Sequence, residues 1–397
     1  MVHTSKRLST LALCLLLPGA AARANEAGPS FVDLNFAHAA NQYSHMIGTL
    51  KKDPGLPRSL DEDGKLKIVG PRDWTSGFFP GSLWLIYEHT RDEKWRKAAA
   101  DYTERLESIK TYGGTHDLGF MLGCSYGQGY RLTREPAYRD VLITGAQTLA
   151  GRFDAEVGAI RSWDFGRWKF PVIIDNMMNL ELLTWASRES GDKNLLQVAT
   201  THADTTEKNH FRPDGSSFHL VDYHPETGEV LGRQTVQGAA DPSAWARGQA
   251  WGLYGYTAMF RETKKETYLQ RALKIADFLV RHPRLPADGV PYWDFDAPGI
   301  PNAPRDSSAA AIMSSALFEL ADYADAERAA TYRMMAAKQL RSLASPAYRA
   351  SVGSNGGFIL MHGVGHIPEK HEIDVPLIYG DYYFLEAMGR FNAVLKR

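Results

Sequence analysis

The 397 residues carry 45 basic and 46 acidic side chains and are 44% hydrophobic, the make-up of a globular chain with a large core, which excludes global disorder and coiled coil. A formal net charge of -1 leaves no basic excess to displace counterions from a nucleic-acid backbone, so no nucleic-acid partner is expected. Two cysteines, and 13 histidines without HExxH or His-x-His spacing, fall short of a structural zinc set, so neither a metal nor another cofactor is expected.

Lys6 and Arg7 precede an apolar run from Leu8 to Pro18, and Ala22-Arg23-Ala24 supplies the small residues of a signal-peptidase site. Cleavage after Ala24 predicts a mature chain of residues 25–397 with Cys124 as its one thiol. No internal disulfide can then form, which suits a bacterial periplasm or secretion. Cys14 follows the bulky Leu13 inside the apolar run and reads as signal core rather than a lipid-attachment site. Nothing later approaches a span of about 20 apolar residues, so no membrane anchor is expected in the mature protein.

Helical periodicity dominates from the leading helix, Phe31 to Leu50, onward. Apolar, small-residue-rich segments follow at Gly77 to Thr90, Asp117 to Thr133, Asp175 to Glu189, Ala244 to Glu262, Ser307 to Tyr323 and Asp374 to Arg397. Amphipathic partners alternate with them, marked by Trp95 and Ala99, Leu195 and Ala199, Tyr268 and Ala272, and Tyr332 and Ala336; Tyr138 and Leu142 follow the same plan. The spacing of these anchors is too uneven for a short-period solenoid. Helices that are apolar nearly all round are inner ones, and about twelve helices in all close as six hairpins into an all-α toroid. The expectation is one (α/α)6-barrel domain over residues 25–397, interrupted by a β excursion between Ser217 and Gln237 around a Pro225 to Gly228 turn.

In a closed toroid the beginnings of the inner helices open on one face, and chemistry-bearing residues gather there. Asp117 and Asp175 both stand where a helix N-cap is expected, and capping is the plain reading of each. The flanking Phe170 to Ile174 and Met177-Met178 penalise a carboxylate at 175, however, and Asp117 across the funnel would push the two titrations further apart. One acid and one carboxylate are the minimum apparatus for acid/base work on a sugar. Arg247 and Trp251, at i and i+4, fit either a planar carboxylate on a stacked ring or a structural ion pair with mere packing. Trp74 heads an aromatic run that reads as core, and Trp163 and Trp168 either wall a pocket or cover a helix end. His219 and Gln237 meet across the excursion if its register is right.

Five ordered motifs carry a resemblance. They are Trp74 to Gly81 (WTSGFFPG), His116 to Phe120 (HDLGF), Asp175 to Asn179 (DNMMN), Trp245 to Trp251 (WARGQAW) and Asp374 to Phe384 (DVPLIYGDYYF). Together they resemble the unsaturated glucuronyl hydrolases, glycoside hydrolase family 88, over nearly the whole mature chain. The resemblance implies a six-hairpin α/α barrel, with Asp175 as proton donor and Asp117 as second essential acid. It implies substrate contacts at His116, Trp163, His219, Thr235, Gln237, Arg247, Trp251 and Trp74. The implied substrate is an oligosaccharide left by a polysaccharide lyase, ending in a 4,5-unsaturated uronic acid whose enol ether is protonated at C4 and hydrated at C5. Glycosaminoglycan disaccharides lead; a sulfate would need a cation, which Lys370, beside His366 and His371, supplies unless it is a solvated loop charge. The alternatives are an unsaturated rhamnogalacturonyl hydrolase acting on pectin fragments, an ordinary inverting glycosidase, and a non-catalytic sugar-binding helical protein.

Overall fold

The computed structural model describes residues 30–51 and 53–397; the expected signal segment lies outside the described residues. Twelve α-helices are found among them: α1 (Phe31–Leu50), α2 (Phe78–Thr90), α3 (Glu93–Glu104), α4 (Gln128–Thr133), α5 (Pro136–Ala150), α6 (Leu180–Ser190), α7 (Lys193–Asn209), α8 (Ala246–Thr263), α9 (Glu266–Arg281), α10 (Ser307–Leu320), α11 (Ala326–Leu343) and α12 (Ile378–Leu395). The inner ring closes on itself: α2 packs on the segment leading into α4, that segment on α6, α6 on α8, α8 on α10, α10 on α12, and α12 back on α2. Each inner member has an outer partner, with α1 completing the sixth pair against α12. The α/α toroid is therefore the fold.

Residue type decides which layer a helix joins. In α10 every side chain except Glu319 is buried, as its run of Ala and Ser permits on all sides, whereas α9 buries Tyr268, Leu269, Ala272, Leu273, Ile275, Ala276 and Leu279 along one stripe. Outer helices start conventionally. The Asp92, Asp192 and Asp325 side chains cap α3, α7 and α11, and Asp306 caps the inner α10.

Two inner segments depart from the regular helices expected. The segment expected at Asp117 begins as a π-helix over Gly119–Gly127 before α4, and that at Asp175 begins as a 3-10 turn over Ile174–Asn179 before α6. The two irregular stretches touch closely. A Cβ at Gly119 would lie 2.5 Å from Asn179 Cα, and Asn179 Oδ1 accepts a hydrogen bond from Phe120 N at 3.0 Å, so only glycine allows this approach.

Most connections leading into inner helices carry β-structure. A hairpin of β1 (Leu56–Leu60) and β2 (Leu66–Val69) precedes α2; the two-residue β3 (Phe153–Asp154) and β4 (Ala159–Ile160) precede α6. β5 (Pro171–Ile173), β6 (Leu220–Tyr223) and β7 (Val230–Gln234) form one antiparallel sheet in that order, and β8 (Gly363–His366) pairs with β9 (His371–Val375) before α12. The expected excursion is the β6–β7 hairpin; β5 completes its sheet. The last inner helix begins at Ile378 rather than Asp374, because Pro376 holds the preceding residue extended. No helix among the described residues is long and apolar enough to cross a membrane.

Candidate active site

Where the inner segments begin, a cavity of about 460 Å³ is walled by Trp74, Trp163, Trp168, His219, Gln237, Arg247 and Tyr379, among others. A larger cavity, about 1400 Å³, opens among the opposite ends of the inner helices. Most of its acids pair with arginines, as in Arg131 with Glu88, Arg261 with Glu181 and Arg390 with Glu386. Chemistry therefore belongs to the smaller one, beside which stand Asp175 and Asp117.

Asp175 has no lysine or arginine partner. β5 pairs with β6 and runs straight into the 3-10 turn, so Ile173 opposite Leu220 fixes where Asp175 points. Its side chain is 12% exposed, and Oδ2 has no hydrogen-bond partner. Burial pushes its pKa up to about 7, against the pull of Arg247 and with a further push from Asp117. A carboxyl poised there can exchange a proton near neutrality.

Asp117 stands just ahead of the π-helix, which its side chain does not cap. Thr115 Oγ1 donates to its Oδ2 at 2.6 Å, and the buried His116 places Nε2 3.2 Å from its Oδ1. Its side chain keeps 16% exposure, so both acids remain reachable.

His219 lies immediately before β6, and its carbonyl accepts from Ile174 N at 2.9 Å. Its Nδ1 accepts from the backbone N–H groups of Val236 at 3.0 Å and Gln237 at 3.3 Å. That leaves the proton on Nε2, which faces Asp175 Oδ2 at 3.6 Å. Burial keeps the ring neutral, with its pKa well below the usual value. Gln237 meets His219 through its backbone, while its side-chain Nε2 donates to Gly365 O at 3.2 Å. Thr235 Oγ1 lies 3.5 Å from the same Nδ1 and accepts from Gly238 N.

Arg247 takes the structural option left open by its spacing. Its fork donates to the Val364 and Gly365 carbonyls and to Asp306 Oδ2, the last at 3.2 Å. Only Nε lacks a partner, so a bidentate grip on a substrate carboxylate is not available in this arrangement. Trp251 is fully buried against Phe120 and Tyr383, and its indole Nε1 has no hydrogen-bond partner. Trp74 is more than core: one side packs on Phe78, Phe120 and Tyr379, and the other lines the cavity. Trp163 walls the cavity too, and its buried Nε1 has no partner. Lys370 sits in the turn between β8 and β9 at φ 57°; its neighbours His366, Glu369 and His371 line the cavity, and Lys370 does not.

Comparison with known proteins gives the family. The profile of Glycosyl Hydrolase Family 88 matches residues 60–384. The unsaturated glucuronyl hydrolase of Formosa agariphila is 46% identical over 91% of each chain. A solved unsaturated glucuronyl hydrolase specific for heparin superposes with a TM-score of 0.90 at 46% identity, covering 93% of this chain and 99% of that one. The enzyme from Bacillus sp. GL1 superposes at 0.85 with 31% identity, covering 91% and 96%. This chain belongs to the unsaturated glucuronyl hydrolase family. It is a glycosidase.

For this family member, sequence reasoning passed over one group at the cavity wall. Arg58, on β1, donates to Glu372 at 2.6 and 2.8 Å and to Asp73 at 2.8 Å, and Lys67 adds a bond to Glu372 at 3.0 Å. Burial would raise the Glu372 pKa, but Arg58 and Lys67 overcome it and hold the carboxyl at about 2. The cluster fastens the β1–β2 hairpin to β9 and so holds both walls of the cavity. Partners 314 residues apart leave no local signal.

Proposed function

We propose that the protein removes the 4,5-unsaturated uronic acid from the non-reducing end of lyase-generated oligosaccharides, glycosaminoglycan disaccharides foremost. The observation that carries this is a buried, unpaired Asp175 with its pKa near 7 and a second acid, Asp117, close enough to raise it, next to His219 in the wall of an aromatic cavity. The relatives point the same way: one is specific for heparin, and another is responsible for glycosaminoglycan degradation.

Neutral Asp175 gives its proton to C4 of the enol ether. The C4=C5 π electrons form the new C–H bond, and the ring oxygen shares the positive charge left at C5. Asp117, as carboxylate, faces that charge. Water then bonds to C5 and returns a proton to Asp175, restoring the acid. The hydrated ring opens at C5–O5, and the hemiacetal left at the anomeric carbon collapses to free the remaining sugar. No group need attack the anomeric carbon, which suits an arrangement with its acid at one ring edge. His219 Nε2–H steadies the Asp175 carboxylate between the two proton transfers.

Turnover in deuterated water tests the reading. Deuterium should appear at C4 of the product, and Asp175→Asn should bind an unsaturated disaccharide without consuming its chromophore. An unlabelled C4, or full activity in the variant, overturns it. The export signal read from the sequence places the mature enzyme in the periplasm or outside the cell; N-terminal sequencing of protein recovered from those fractions should begin at Asn25.

A further inference from the structure

Phe165 is 71% exposed, the most exposed large apolar side chain among the described residues. Leaving a phenyl ring in water forgoes burial free energy, so its setting matters. Its ring stacks on Trp163 with centroids 5.5 Å apart and planes 18° off parallel. Trp168 meets Trp163 edge-on at 5.6 Å. All three rings reach the cavity, with Trp163 and Trp168 half-buried and Phe165 outermost.

The loop holding them is braced. Arg152 donates to Asp164 at 2.9 Å and Arg161 adds a contact at 3.4 Å. Trp168 Nε1 and Arg167 Nη2 both donate to Gln234 Oε1, at 2.9 and 3.1 Å, tying the loop to β7. Gly166, at φ 85° and with no room for a Cβ beside Trp168, turns the chain between the two outer rings. A fixed, exposed ring continuous with a sugar cavity offers a flat apolar face where the bound chain must leave it.

We propose that Phe165, supported by Trp168, forms a distal subsite that stacks a sugar ring of the leaving chain beyond the residue next to the scissile bond. The inference rests on the functional reading above. A substrate whose unsaturated end reaches Asp175 must pass its remaining units outward through the mouth, past Trp163 and then Phe165. The pyranose C–H faces of that chain are the ligand chemistry, so the subsite adds binding for tetrasaccharides that disaccharides of the same repeat do not gain.

The test compares kcat/KM on an unsaturated disaccharide and tetrasaccharide for the parent, Phe165→Ala and Phe165→Trp. The tetrasaccharide-to-disaccharide ratio should fall at least fivefold in Phe165→Ala and persist in Phe165→Trp. An unchanged ratio overturns the proposal, as does a change confined to self-association in sedimentation. Calorimetric titration of both sugars into Asp175→Asn, with and without Phe165→Ala, reads the same preference as affinity without turnover. Failure of the subsite, with turnover intact, is thereby distinguished from failure of the reaction assignment.

Discussion

His219 presents Nε2 to Asp175 Oδ2 at 3.6 Å while two backbone N–H groups, from Val236 and Gln237, occupy its Nδ1. The backbone of the β7 end thus chooses the tautomer, and the tautomer chooses that Asp175 sees a donor. His219→Leu removes that donor from the carboxylate formed after proton delivery. The two atoms do not hydrogen-bond in the resting acid; a bond that closes once Asp175 ionises is worth about 1.5–3 kcal/mol, so kcat should fall about 10- to 100-fold. The alkaline limb of the pH–rate profile should move upward, because the ionised form has lost support. Profiles of the two proteins decide the matter; a downward movement would contradict the assigned tautomer.

On the proposed role, activity should decline above pH 7 as Asp175, held at about 7, ionises. The same displacement acts on stability. Its pKa lies above the usual 3.8, so the folded state binds this proton more tightly than the unfolded chain. That contribution is complete below about pH 4 and vanishes as pH rises through 7. Asp175→Asn removes the dependence and should match the parent at pH 4 yet exceed it at pH 8 by a few kcal/mol, at about 1.4 kcal/mol per unit of displacement. Asp381, also raised to about 7 by burial, is common to both proteins and cancels in the difference. Urea unfolding at the two pH values checks the sign.

Asp117→Asn is predicted to move the alkaline limb the other way. Asp117 adds to the upward push on Asp175, and removing a like charge lets the donor ionise earlier. Loss of the carboxylate facing the developing cation should cost about 10²- to 10³-fold in kcat. Since the side chain bonds only Thr115 and sits beside His116, the thermal midpoint should change little. A limb that stays in place would mean that the two acids are not coupled.

The toroid was legible because burial on all sides and burial on one stripe leave different sequence patterns, as α10 and α9 illustrate. The acids were legible for another reason. Phe170 to Ile174 flags an expensive place for a charge without any knowledge of the fold. What could not be read is whatever depends on chain segments distant in sequence. Asp117 and Asp175 look alike as N-caps until the π-helix and the 3-10 turn appear, and those follow from the Gly119–Asn179 approach between segments about 60 residues apart. Arg247 posed two options in the sequence, and only the arrival of Val364 and Gly365 beside it separates them. The β5 strand, three residues long, becomes visible through its pairing with β6.

Arg247 illustrates how a residue in a catalytic motif can serve the site from behind. Its buried guanidinium joins α8 to the Val364 and Gly365 carbonyls of β8 and to Asp306, which itself caps α10 through Ser308 N. Arg247→Met would strand the buried Asp306 carboxylate and release β8, at a cost of about 3–5 kcal/mol in unfolding free energy. The double variant with Asp306→Asn should recover part of that loss, because the unpaired charge is gone. Arg247 also draws the Asp175 pKa down, so any folded Arg247→Met enzyme should show its alkaline limb displaced upward. A substrate clamp predicts something else: a higher KM, an unmoved limb and an unchanged unfolding midpoint. Denaturant titrations alongside pH–rate curves of the single and double variants separate the two roles.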